Sequence, residues 1–384
     1  MRKVKHVLIP IALVLAMLIS APASATEVID GEESENRTTD VFVMEFLRQD
    51  EHAGTSNWSE STTIKSTISL FDAEENLTGI IYDLQTDGEP SGYVEIVFLN
   101  QEPVVKAYSY NSINAVVGLL KNAEYQIDPY SDDIKVMSLG ALDYAIKDGD
   151  DSGLMFDLQA GQYITFDQEK MQTFCEAQKA KMTIAFEAQK EQEVQVARQA
   201  ANEEAVTPYS TFEYVGGSSS ISLVKMDDFS GYDNHCSPTA GTNVIKYYYD
   251  VWGINFYDSR DYTFERLYDF MRTNTTVEGT DRTKIIAGLR SYFNYYGATY
   301  DFSGTTTSPT LALIRTYIGK DCPVIMSVDD FGGTSGGHSI VAFGCMPSTS
   351  VVVSTGWDYA LHTYTYSLLD VARLTYIGFD FASR

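Results

Sequence analysis

Cysteine and histidine are scarce in this 384-residue chain. It has four cysteines and five histidines, and His6 falls in a basic leader. Cys175, Cys236, Cys322 and Cys345 form no Cys-x-x-Cys pair. Four thiols in a chain of this length are not a disulfide scaffold. The few histidines show no metal-ligand spacing, so the reading carries no metal site and no cofactor. No Asp-x-Asp-x-Asp-Gly calcium loop occurs, despite 53 acidic residues. Positive charge is the other shortage. Lys and Arg number 27, leaving a net charge of −26. Such a chain repels polyanions, which excludes nucleic acid and anionic membrane surfaces as partners. Beyond the leader, no apolar run approaches the length that spans a bilayer.

What is present begins with an export pattern. Arg2, Lys3 and Lys5 precede the mostly apolar run Val7–Ile19, and Ala23-Ser24-Ala25 is a small-x-small cleavage site. The run is short for a membrane span and lacks a stop-transfer flank. Residues 1–25 therefore read as a signal peptide. The rest reads as a secreted, extracellular protein with no membrane contact after cleavage, the cell surface being the alternative. The length predicts more than one domain, and 44% hydrophobic residues supply a core. Charge is uneven. Residues 207–384 carry 18 acidic and 12 basic side chains, against 35 and 15 in residues 1–206.

Residues 26–60 are polar and acidic without sustained period, apart from an apolar patch at Val41–Leu47. From Thr62 the period becomes two. Thr62–Phe71, Gly79–Leu84, Gly92–Leu99 and Pro103–Tyr108 read as strands, Asn111–Asn122 as a helix, and Ile134–Ile146, Gly153–Leu158 and Gln162–Phe166 as further strands. This makes 26–166 a small acidic α+β domain. Residues 167–206 are rich in Ala, Glu, Gln and Lys up to the boundary, with no Gly or Pro, and predict one long connecting helix. The third region, 207–384, places helices first: Cys236–Tyr249, Thr263–Arg272, Thr283–Tyr296 and Ser308–Ile318. Strands follow at Pro323–Val328, Ser339–Phe343, Val351–Val353, Thr363–Tyr366 and Ile377–Phe381. That order is α+β.

Three windows of this region carry chemistry. Pro238 fixes the start of a helix beside Cys236, because proline is tolerated only in a helix's first turn. A thiol there meets the positive end of the macrodipole, which favours thiolate. On this ground alone Cys236 is a core thiol or a nucleophile, with core the commoner case. Second, "GGTSGGHSIVAFG" (332–344) sets His338 after a glycine-rich loop and at the head of a strand, giving a base both access and rigidity. Third, "VVVSTGWDYALHTY" (351–364) runs a strand into Ser354-Thr355-Gly356-Trp357.

Cys-Ser-Pro-Thr-Ala-Gly, Gly-Gly-His-Ser-Ile-Val-Ala-Phe-Gly and Val-Ser-Thr-Gly-Trp together resemble the papain-like cysteine peptidases of the streptopain and peptidase C39-like group. The resemblance spans roughly residues 207–384. It implies a papain-like fold, with the cysteine's helix packed on an antiparallel sheet bearing the histidine. It implies peptide-bond hydrolysis, with Cys236 as nucleophile and His338 as general base. It also implies that 26–166 is a propeptide, an intramolecular inhibitor of a zymogen whose other partners are protein or peptide substrates. The oxyanion would be held by the Cys236 backbone N–H and a side-chain donor. No Gln stands between residues 207 and 236, so Asn234 is the substitute. The family pattern has Asn or Asp before Gly-Trp, where this chain has Ser354 and Thr355. Asp358 is the carboxylate offered as third catalytic member, with Ser354 as alternative. Trp357 shields the histidine, while His235 and His362 read as surface residues. The competing readings are a cell-wall amidase and a catalytically weakened binding protein of the same fold.

One further expectation concerns the remaining thiols. If Pro323–Val328 pairs with Ser339–Phe343 so that Val328 faces Ser339, then Cys322 faces Cys345 and the two bond in an oxidising exterior.

Overall fold

Strand alternation in the sequence becomes one long sheet. The computed structural model describes residues 31–48, 58–114, 116–118, 134–148, 154–157, 162–165, 167–202, 213–329, 337–346 and 349–379. The signal-peptide reading, the boundary near residue 206 and most of the helix expected at Asn111–Asn122 lie outside these residues. Among the described residues 15 strands form a single sheet, and the protein is a mixed α and β fold.

The N-terminal half of the sheet is an antiparallel meander of β1 (Thr62–Phe71), β2 (Leu77–Thr86), β3 (Glu89–Leu99) and β4 (Glu102–Ser109). Asp87-Gly88 and Asn100-Gln101 close its two tight hairpins with positive φ throughout, the backbone twist that two-residue hairpin loops require. β5 (Ile134–Ser138) then joins β1 in parallel, and β6 (Tyr144–Asp148), β7 (Leu154–Asp157) and β8 (Gln162–Thr165) follow antiparallel. The segment before β1 corrects the sequence reading. Gly31–Leu47 is a helix, α1. Val43, Phe46 and Leu47 lie one turn apart and pack with Trp58 against Ile80, Tyr82, Val94 and Tyr108. The apolar residues of α1 crowd into Val41–Leu47 behind a polar start, so they write little helical period into the sequence. The sheet they cover supplies the missing stabilisation.

The long helix forms as expected, as α2 (Gln168–Asn202). It is seated on the protein rather than strung through solvent. Met171 packs with Met137, Leu139 and Ala145, and one face further on sets Met182 and Phe186 against Leu99, Val104 and Leu368.

The C-terminal region begins with β9 (Glu213–Tyr214), then α3 (Cys236–Trp252), α4 (Arg260–Phe270) and α5 (Arg282–Tyr295). β10 (Phe302–Thr306) follows, a strand that sequence alternation did not suggest, and α6 (Leu311–Ile318) comes next. Ser259, Asp281 and Thr310 cap α4, α5 and α6 by accepting backbone N–H bonds in the first turn. β11 (Val324–Val328), β12 (His338–Cys345), β13 (Ser350–Ser354), β14 (His362–Thr365) and β15 (Val371–Gly378) complete the sheet in the order β10-β15-β11-β12-β13-β14. The last strand starts at Val371, earlier than expected, because Val371, Leu374 and Tyr376 pair with Val328, Met326 and Val324 of β11. Every residue of β12 is buried, and α3 and α6 both pack against it.

The two halves join edge to edge. β14 pairs with β4 at Thr363–Tyr108 and Tyr364–Ala107. Thr365 Oγ1 donates to the Val105 carbonyl at 2.7 Å, and Ser109 Oγ to the Leu361 carbonyl at 3.1 Å. Behind this seam Lys106 and Glu95 form a buried ion pair at 2.8 Å, and the Tyr144 hydroxyl donates to the same carboxylate at 2.6 Å. The pair satisfies the rule that buried charges need both a partner and additional hydrogen bonds.

The expected thiol pairing fails on register. Val328 faces His338, not Ser339, so the β11–β12 ladder is one residue out from the guess. A one-residue slip turns side chains to the opposite face. Cys322 Sγ lies 3.5 Å from the Ile377 carbonyl, Cys345 packs beside β9 and β13, and none of the four cysteines is in a disulfide. Burial pushes the Cys322 thiol up to about 12 and Cys345 to about 11, so neither is a nucleophile at neutral pH. Iodoacetamide applied to the unreduced, unfolded protein is expected to label both. Protection of both until a reductant is added would restore the disulfide.

Candidate active site

The helix that carries Cys236 is built for close packing at its start. Pro238 occupies the first turn, and Ala240, Val244 and Tyr247 are buried on one face. The helix ends at Gly253 in the left-handed conformation, with φ 64°. Its N-terminus directs the first-turn N–H groups and the positive dipole end toward Cys236. Cys236 is partly exposed, the condition a reactive thiol needs.

Two contacts bring this helix start onto the strand that carries the histidine. Cys236 Sγ stands 4.0 Å from the Gly337 carbonyl oxygen. One residue on, Ser237 Oγ and Ser339 Oγ share a buried hydrogen bond at 2.8 Å. These contacts bracket the Cys236–Ser237 and His338–Ser339 dipeptides from both ends. Gly337 lets the strand head close onto β11. Its φ is +78°, and a Cβ there would stand 1.9 Å from the Val328 carbonyl oxygen. Only glycine fits.

His338 is 2% exposed, and a main-chain carbonyl helps to set its ring. Nε2 lies 2.7 Å from the Thr355 carbonyl oxygen. A carbonyl only accepts, so Nε2 carries the proton and Nδ1 of the neutral ring keeps a lone pair. The Trp357 indole lies flat on the imidazole, with centroids 4.8 Å apart and planes 15° apart. Gly356, at φ +79°, makes the turn between the orienting carbonyl and the covering ring.

Several expected residues take other places. Asp358 is not the partner of His338. Its Oδ1 accepts from His362 Nε2 at 2.9 Å and from the Ala360 N–H at 3.0 Å, and its Oδ2 accepts from Ser112 of the N-terminal half. Burial pushes this carboxyl up. The adjacent imidazole, Ser112 and the Ala360 N–H outweigh burial and hold it at about 2. Ser354 is buried on β13, and its Oγ makes no hydrogen bond among the described residues. The orienting group is therefore a main-chain carbonyl at one of the two positions where the resemblance had pointed to a side chain. His362 is fully buried, bonded by Nδ1 to the Tyr93 hydroxyl at 3.1 Å, and His235 is 8% exposed; neither is a surface residue. Sequence reading had no signal for either, since the burying partners come from distant segments. Asn234 sits at φ +50°, and its amide donates to Glu278 at 3.0 Å. The two residues line a cavity of about 430 Å³ together with Asp233, Asn274, Thr276 and Val277. Among the described residues no cluster of three or more His, Cys, Asp or Glu side chains is placed to hold a metal ion.

Gly337→Ala is expected to cost about 1–3 kcal/mol of stability from backbone strain alone. It is also expected to lower kcat/KM on a peptide substrate beyond what the unfolded fraction accounts for. Urea unfolding beside a kinetic assay measures both. Wild-type values for both would show that the close approach at Gly337 is dispensable.

Residues 218–373 match the Peptidase_C39 like family. The matched span contains Cys236, His338, Thr355 and Trp357, and leaves out the N-terminal strands. No curated protein matches the chain. On this match the C-terminal region is similar to C39-like cysteine peptidases, a family resemblance that points to thiol-dependent peptide hydrolysis.

Proposed function

We propose that this chain is a secreted cysteine endopeptidase, made as a zymogen and carrying a papain-like catalytic domain. The observation that carries the reading is the tautomer of His338. With its Nε2 proton engaged by Thr355, the ring keeps an unprotonated Nδ1, and the Cys236–Gly337 and Ser237–Ser339 contacts hold the helix start beside the strand head that carries it. In the reaction Nδ1 takes the thiol proton as Sγ attacks the scissile carbonyl carbon. The carbonyl electron pair moves onto oxygen, where the Cys236 backbone N–H at the helix start stabilises it. Collapse breaks the C–N bond, and the imidazolium returns its proton to the leaving amine. A thioester remains, and a water deprotonated by Nδ1 hydrolyses it. General acid–base transfer of this kind is worth roughly 10²–10⁴ in rate. Asn234 reaches the oxyanion only by leaving Glu278, so the backbone donor carries that role in this reading. Trp357 keeps water from the far face of the ring.

The N-terminal half acts as an intramolecular partner in this scheme. Its Ser112 bonds Asp358, the residue after Trp357. On this reading the segment around Ser112 obstructs the site until it is cut or displaced. One observation favours a second reading, a weakened enzyme. Asp358 is committed to His362, so a dipole rather than a carboxylate faces the imidazolium.

Cys236→Ala is expected to abolish both casein cleavage and removal of the N-terminal half from the secreted chain. Processing that continues unchanged in this variant excludes autocatalysis. A wild-type chain inert on casein but active on peptidoglycan would replace the peptidase with an amidase. Inertness on both would favour the weakened reading.

A further inference from the structure

The residue before the nucleophile is built into the support of the base. His235 lies edge-on to Phe229 at 6.3 Å and to Phe264 at 5.5 Å, and those two rings stack at 3.8 Å. Its Nε2 is 3.0 Å from the Met226 carbonyl oxygen, so Nε2 carries the proton and donates. Burial pushes this imidazole below its ordinary range, against the pull of the Met226 carbonyl, so the ring is neutral at neutral pH. Eight residues along the same helix, the buried Asn243 grips Val224 by both ends. Its Oδ1 accepts the Val224 N–H at 2.8 Å, and its Nδ2 donates to the Val224 carbonyl at 3.0 Å. The strap 224–226 is thus fixed to α3 at two points. It then passes the constraint on. The Met226 N–H donates to the Gly356 carbonyl at 2.7 Å. Gly356 follows Thr355, whose carbonyl sets His338.

We propose that His235 is a positioning residue for the Cys236–His338 pair. It anchors the 224–226 strap to the nucleophile's helix, and through Met226 and Gly356 the strap holds the Thr355 carbonyl at the angle that orients His338. The sequence signal is a histidine adjoining the cysteine, and its meaning depends on a strap ten residues upstream. The proposal rests on the peptidase reading of the pair. It differs from a packing role in one respect: it requires a hydrogen-bond donor at the Nε2 position, not an aromatic ring.

The test compares His235→Phe, His235→Gln and His235→Asn in the full chain. The readout is the pH profile of Cys236 alkylation by iodoacetamide, followed on the Cys236 peptide by mass spectrometry, with melting temperature recorded beside it. Phenylalanine keeps the packing on Phe229 and Phe264 and loses the donor. Glutamine places an amide N–H near the Nε2 position, and asparagine falls short of it. His235→Phe and His235→Asn are expected to react about tenfold more slowly at pH 6, with profiles moved toward that of an ordinary thiol. His235→Gln is expected to keep the wild-type profile. If the phenylalanine variant does not fold, the Gln–Asn pair carries the comparison. An unshifted His235→Asn profile, or a His235→Gln profile as shifted as that of His235→Asn, overturns the proposal. His338→Ala separates the two failures. If it shifts the profile and His235 variants do not, the positioning role alone is lost. If it leaves the profile at wild type, the thiol–imidazole pair is lost and the positioning role with it.

Discussion

A single hydrogen bond from a ring nitrogen to a main-chain carbonyl decides what His338 is able to do. Had Nε2 met an acceptor-and-donor side chain, the tautomer would depend on that side chain's own state. The Thr355 carbonyl accepts and nothing else, so the proton stays on Nε2 and the lone pair on Nδ1. Everything around the pair serves that geometry. Gly337 allows the strand head to approach Val328, the Ser237–Ser339 bond ties helix to strand, and Trp357 stacks on the ring it covers. A carbonyl orients as well as an amide or carboxylate does. It lacks the full charge that stabilises an imidazolium, which is the chemical difference between this arrangement and a carboxylate-assisted triad.

The same turn also ties the site to the N-terminal half. Asp358 and His362 sit two elements from the base, yet their partners Ser112 and Tyr93 belong to strands and loops before residue 115. The edge pairing of β14 with β4 continues the link in the backbone. The contacts to the N-terminal half and the carbonyl that orients His338 therefore lie in one short stretch of chain, residues 355–365. A change in docking has a direct mechanical route to the carbonyl that sets His338.

What the sequence disclosed follows the range of the interactions. β1 was legible because its alternating burial writes a period of two into the chain, and β2 to β4 because apolar runs stand between turn residues. The start of α3 was legible because Pro238 confines it. The helix α1 was missed because its apolar residues crowd into Val41–Leu47 without a helical period, and its stability comes from a sheet formed later in the chain. β11 and β12 were found as strands, yet their register was guessed one residue out. Register depends on a loop that carries no side-chain alternation, and that slip removed the Cys322–Cys345 pairing. At the site, Cys236 and His338 stood out by local context. The orienting group did not, because a backbone carbonyl has no residue type to recognise. Asp358 looked suitable by position and charge, and only the buried His362 explains why its carboxylate is spent elsewhere.

The most direct test of this account is the protonation pattern of one ring. In the Cys236→Ala protein no thiolate can hold the imidazole charged. The ¹⁵N shifts of His338 at neutral pH should then report a protonated, pyrrole-like Nε2 and an unprotonated, pyridine-like Nδ1. A proton on Nδ1 and a bare Nε2 would contradict the Thr355 bond, and with it the assignment of His338 as the base that serves Cys236.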